Sequence, residues 1–176
     1  DARELKKEHM VKLPVVVYNR TTRQSVIQDA IQLRGSIERD AIAAEAADGK
    51  YIRPIVLFQA QPRTGDNSDT FDKIKDMLIG MGIPEDQIAV KTSNVDDLKW
   101  QDLMSRDCKI RYIITVNALN EARDCPFAYI LASLANRASA VDVEQILGRI
   151  LRQPYAMQHK SPLLNTSYVL TNSVDF

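Results

Sequence analysis

Short uninterrupted apolar runs separated by helix-periodic stretches dominate this sequence, and that alternation leaves few folds open. Residues 13–18 (LPVVVY), 54–60 (PIVLFQA), 87–91 (QIAVK) and 110–116 (IRYIITV) each read as a strand, because β-branched and aromatic residues suit a pleated, half-buried backbone. Residues 23–47 place Val26, Ile27, Ala30, Ile31, Ile37, Ala41 and Ala44 at helical spacing, with Asp48–Gly49 as a stop. Residues 69–81 carry Ile74, Met77 and Leu78 on one side and end at Gly82. Residues 95–105 and 141–151 read as further helices, 127–134 as another apolar run, and 163–170 as a closing strand-like stretch. Repeated strand–helix alternation implies parallel strands with helices on both faces. Strands buried on both sides read as continuous apolar runs, as PIVLF and YIITV do. The expected fold class is therefore α/β with a mostly parallel sheet. Ligands of open parallel sheets sit beyond the carboxyl ends of the strands. The loops after Ala60, Lys91 and Val116 are accordingly where function is sought.

A chain of 176 residues has room for one sizeable α/β core. Its 23 basic residues balance 23 acidic ones, whereas a nucleic-acid-binding module acting alone is usually basic. Any such contact must be local or shared with a partner. Two cysteines, Cys108 and Cys125, are too few for a disulfide framework or a zinc site, and a reducing cytoplasm is the natural setting. No apolar run approaches the length of a membrane span, and none reads as a signal peptide. Asp1 in place of an initiating methionine reads as a piece cut from a longer protein. Trp100, Met77 and Met81 read as core, and no ligand pattern flanks His9 or His159.

Gln145, Arg149 and Arg152 fall at i, i+4 and i+7, with Gly148 on the same stripe and Ile146, Leu147, Ile150 and Leu151 turned away. Two arginines on a helix ordinarily meet water or surface carboxylates. Phosphoryl transfer asks for the same side chains, since a guanidinium keeps its charge and offers two parallel donors to phosphate oxygens. Glycine inside a helix costs about 1 kcal/mol relative to alanine, so Gly148 suggests that something approaches the backbone closely. The complete string, Gln145-x-x-Gly148-Arg149-x-x-Arg152-x-Pro154, resembles motif VI of superfamily 2 helicases and translocases, and especially the restriction subunits of type III restriction–modification enzymes. Residues 115–126 (TVNALNEARDCP) resemble motif V of the same family through Leu119, Glu121, Asp124 and Pro126, with Ala122 and Arg123 standing where the family has Gly and Trp. Residues 54–59 resemble its motif IV strand.

That resemblance implies a RecA-like three-layer α/β/α domain, the second of two in an ATP-dependent DNA helicase or translocase. It implies that Arg149 and Arg152 are catalytic arginine fingers. It further implies that Gln145, Gly148, Glu121 and Asp124 face the nucleotide, with Asp124 on the sugar or supporting the arginine helix and Glu121 orienting its loop. It also implies that nucleic-acid backbone meets Thr115 and Asn117; Lys91, Thr92 and Ser93, which follow a strand, offer an ammonium and two hydroxyls that suit phosphate oxygens as well. For Ser93 and Asn94 the ordinary alternative is a helix cap ahead of Val95. Arg63 and Thr64 lie in a loop that could touch DNA, although a solvated loop is the favoured reading of those residues. No phosphate loop (G-x-x-x-x-G-K-[ST]) and no acidic box for magnesium occur; the family places both in the first domain. ATP and Mg2+ would thus be held mainly by that missing domain of the same polypeptide. DNA is the expected partner, with a modification subunit as a further one. Residues 1–48 would be the lead-in strand and helix, residues 49–176 the RecA-like domain, and the fragment alone would hydrolyse no ATP. The rival from another class is a degenerate RecA-like module that binds nucleic acid or protein without ATP chemistry, motivated by Ala122 and Arg123.

Overall fold

The long periodic stretch forms a single helix, Arg23–Asp48 (α1). Thr22 caps its start: its hydroxyl oxygen accepts from the Ser25 amide, and its carbonyl accepts from Val26. Gly49 ends it with φ 74°, a left-handed conformation that glycine adopts without a Cβ clash, and its amide donates to the Glu45 carbonyl. The buried face is Val26, Ile27, Ala30, Ile37 and Ala41, as the spacing requires. In this computed structural model the described residues are 15–19, 22–62, 70–122, 125–134, 140–152 and 154–171.

Six strands form one sheet in the order β1-β6-β5-β2-β4-β3. They are Val15–Asn19 (β1), Ile55–Gln59 (β2), Ile88–Val90 (β3), Tyr112–Thr115 (β4), Ala128–Ser133 (β5) and Ser167–Thr171 (β6). Every pairing is parallel. The remaining helices are Phe71–Gly80 (α2), the one-turn Ala118–Glu121 (α3) and Ala140–Arg149 (α4). The chain crosses from β1 through β2 to β3 towards one edge, then returns through β4 and β5 to β6. Right-handed crossovers therefore put α1 and α2 on one face and α3 and α4 on the other. This is the three-layer RecA-like α/β arrangement. β1 pairs with β6 and α1 packs on β2, β5 and β6, so residues 15–48 belong to the same core as the rest.

Every residue of β2 from Ile55 to Phe58, and all of β4 and β5, is buried, which is why their sequences show no alternation. At the amino-terminal edge of the sheet, Glu38 pairs with Arg34, Arg53 and Arg111, and Glu45 with Arg53 and Arg106. The Arg106 hydrogen bond leads in holding the Glu45 carboxyl below its ordinary range. Arg53 and Arg106 also lie over the Tyr51 ring at 4.5 and 4.6 Å.

Two expectations fail in the connection from β3 to β4. Residues 95–105 are turns, not a helix. Trp100, expected in the core, is 88% exposed. The cause is local: the Asp96 and Asp102 carboxylates accept from the amides two residues on, Leu98 and Met104, and Asp97 accepts from the Val90 amide. Such side-chain bonds give the backbone an alternative to a helix. Thr92, not Ser93 or Asn94, does the capping, accepting from the Asn94 and Val95 amides to close a turn.

Candidate functional site

α4 stops at Arg149, two residues before the sequence pattern suggests. Gln145 and Arg149 are exposed, while Ile146, Leu147, Ile150 and Leu151 are buried, so the face read from the spacing is the face observed. Arg152 lies beyond the helix on the turn that follows. Its amide donates to the Ile150 carbonyl, and its Nε donates to the Gly148 carbonyl at 3.2 Å, which ties the arginine back to the helix end. The Arg149 guanidinium makes no hydrogen bond and no ion pair among the described residues. Gly148 is not crowded: a Cβ there would meet nothing within 4 Å. The close approach expected at this glycine is not made by the described residues of the chain.

The loop after β4 is built around Glu121. Its Oε2 accepts from the Val116 and Asn117 amides, both at 2.9 Å, closing the turn that starts α3. Asn117 caps the same turn through its side chain, which accepts from the Asn120 amide. Ala122 has φ −126°, so alanine in place of the family's glycine brings no backbone strain. Arg123 and Asp124 lie outside the described residues, as do Arg63, Thr64 and His9.

Thr115 and Thr92 correct the expected nucleic-acid set. Thr115 is fully buried and its hydroxyl donates to the Phe58 carbonyl at 3.0 Å, so no strand outside the fold can reach it. Thr92 is 7% exposed and its oxygen is occupied by the turn just described. Lys91, Ser93 and Asn117 remain accessible. Lys91 is half-buried, 3.9 Å from the Asp96 carboxylate, with its Nζ donating to the Thr92 carbonyl.

One groove of about 970 Å³ brings three of these regions together. Lys91 contributes from the end of β3, Glu121 from the β4 loop, and Arg149 and Arg152 from the arginine segment. A groove of that size lies in the range of small-molecule sites. Gln145, Gly148, Ser93 and Asn117 do not line it.

The groove also contains a residue that no pattern in the sequence singles out. Tyr155 lines it, is 39% exposed and has φ 60°, the sole non-glycine positive φ among the described residues. Its hydroxyl donates to the Tyr51 carbonyl at 2.6 Å, and the Lys50 ammonium sits 5.1 Å from its ring centre. Burial is the leading cause that pushes its phenol up from the ordinary tyrosine value. Nothing in the dipeptide Pro154-Tyr155 announces a left-handed tyrosine.

Among the described residues no helix is long and apolar enough to cross a membrane. Compared with protein-family models and with curated proteins, the chain gives no match.

Proposed function

We propose that this chain is the second motor domain of an ATP-dependent DNA helicase or translocase similar to the restriction subunits of type III enzymes. ATP and Mg2+ are held mainly by a first RecA-like domain of the same polypeptide, in a cytoplasmic setting, with a modification subunit as a further partner. The reading is carried by one observation: Arg149 stands on the wall of a nucleotide-sized groove with no partner among the described residues, beside Arg152. A guanidinium left open to a cleft is suited to charge that arrives with a ligand.

Each residue then has a role. Arg149 and Arg152 meet the γ-phosphate oxygens, where negative charge is spread in the transition state. Glu121 holds the loop after β4 against the groove through its two backbone bonds. Gln145, Gly148 and Asp124 belong to the nucleotide-facing side by resemblance to the family. Lys91, Ser93 and Asn117 take DNA phosphates, contacts that position a strand without reading its sequence. The zero net charge fits DNA lying across two domains.

The test is Arg152→Ala in the polypeptide that carries both domains. DNA-stimulated ATP hydrolysis falls while ATP binding persists. Unchanged hydrolysis sinks the assignment. The 176 residues alone are expected to turn over no ATP, and robust turnover by them contradicts the two-domain reading.

A further inference from the structure

Tyr155 is held in place more firmly than a surface tyrosine requires. A bulky residue in the left-handed region is strained, and such strain persists only where the surroundings over-determine it. Here they do so from two sides. The phenol is anchored on the Tyr51 carbonyl, just ahead of β2. The carbonyl of Pro154, the residue before, is 3.0 Å from Nε2 of the buried His159. His159 is itself fixed by a reciprocal pair: its amide donates to Asn165 Oδ1, and Asn165 Nδ2 donates back to its carbonyl. The hydroxyl of Tyr155 is thus spent on the protein, and what the groove receives is the ring.

We propose that Tyr155 is the stacking platform for the nucleobase of the nucleoside triphosphate whose phosphates meet Arg149 and Arg152. This rests on the reading of those arginines given above. Two features support it. Tyr155 follows Arg152 by three residues and lines the same groove, so one ligand can reach both. A ring locked at both its hydroxyl and its backbone stacks with little entropy left to lose. The Lys50 ammonium lies over one face of the ring, 5.1 Å from its centre, so the base stacks on the opposite face. Because the hydroxyl is already bonded, the ring offers the base a π-face and no hydrogen-bond code, so it serves affinity more than base identity.

The test compares magnesium-complexed ATP with magnesium-complexed tripolyphosphate, titrated against the 176-residue chain by NMR. Tripolyphosphate supplies the phosphates without the base. Three variants accompany the native chain. Tyr155→Asn removes the ring and keeps a residue that tolerates positive φ. Tyr155→Phe keeps the ring, and Arg149→Ala removes a guanidinium. Stacking on an aromatic ring predicts that ATP binds about tenfold more tightly than tripolyphosphate in the native chain and in Tyr155→Phe. In Tyr155→Asn the two ligands converge to within about twofold, with tripolyphosphate affinity unchanged. Thermal melts of the variants show that the fold is kept. An ATP preference that survives in Tyr155→Asn overturns the stacking role; loss of both ligands in Arg149→Ala then leaves the arginine reading standing. Conversely, tripolyphosphate binding that ignores Arg149→Ala overturns the arginine reading, whatever Tyr155 does.

Discussion

Two polar regions of this domain look alike in sequence and differ in the structure. The loops after β3 and β4 carry lysine, hydroxyls, an amide and a carboxylate. The end of α4 and the turn after it carry two arginines. In the first region the chain consumes most of its own polar groups: Thr115 bonds the Phe58 carbonyl, Thr92 closes a turn, and Glu121 takes two backbone amides. In the second, Arg149 finds no partner among the described residues. The difference follows from reach. Short side chains beside a turn sit within hydrogen-bond range of unsatisfied amides, which cost free energy if left bare. A guanidinium on the exposed face of this helix pairs with no carboxylate among the described residues, so its charge is left for something that arrives.

That contrast can be broken experimentally. The largest effect expected is from Glu121→Ala, which strips two amides of a charged acceptor. A stability loss of about 2 kcal/mol follows from hydrogen bonds to a charged group, read as a lower denaturant midpoint at unchanged slope. A change near zero means the loop after β4 is held by something other than Glu121.

Thr115→Val comes next. It keeps the shape and removes the buried hydroxyl, at a cost of about 1–2 kcal/mol, while DNA affinity stays as it was. A drop in DNA affinity without a stability change restores Thr115 to the interface. Lys91→Ala is the opposite case: stability moves by less than about 0.5 kcal/mol, and DNA binding weakens with the salt slope reduced by about one.

Gly148→Ala separates the two demands on the arginine segment. A Cβ fits, so replacing glycine inside the helix adds up to about 1 kcal/mol of stability. If the nucleotide or a second domain approaches that backbone, hydrolysis by the two-domain protein falls all the same. Gains in both stability and hydrolysis argue that Gly148 has no role at the site.

The smallest effect is alkaline. Burial leads in raising the phenols of Tyr129, Tyr155 and Tyr168 above the ordinary 10.0. In the unfolded chain these groups release protons from about pH 10 upwards while the folded chain still holds them. The unfolded state then binds fewer protons, so stability is complete below that pH and declines above it. Tyr129→Phe should flatten the decline, measured as the denaturant midpoint against pH. An identical decline in the variant removes Tyr129 from that account.

Much of the fold was legible because burial on both faces writes itself into strands such as Ile55–Gln59 and Tyr112–Thr115, and because Gly49 punctuates the end of α1. Residues 95–105 were misread for a physical reason. Val95, Leu98 and Leu103 imitate helical spacing, but Asp96 and Asp102 bond their own backbone two residues on, and a periodicity argument does not weigh that competition. The same turns leave Trp100 outside. At the site, the face of Gln145 and Arg149 followed from spacing alone. The burial of Thr92 and Thr115 did not, because a hydroxyl beyond a strand reads the same whether it points at a ligand or at the neighbouring carbonyl. Tyr155 was invisible, since its conformation is set by Tyr51 and His159 rather than by its own neighbours in sequence.

Arg149 is proposed to stand open because its partner is a nucleotide held by another domain. Single-turnover ATP hydrolysis by Arg149→Ala in the two-domain protein, with ATP affinity and melting temperature measured alongside, tests it most directly. A rate loss of about 10³–10⁵ is expected, with both other quantities kept. A native hydrolysis rate in the folded variant would contradict it.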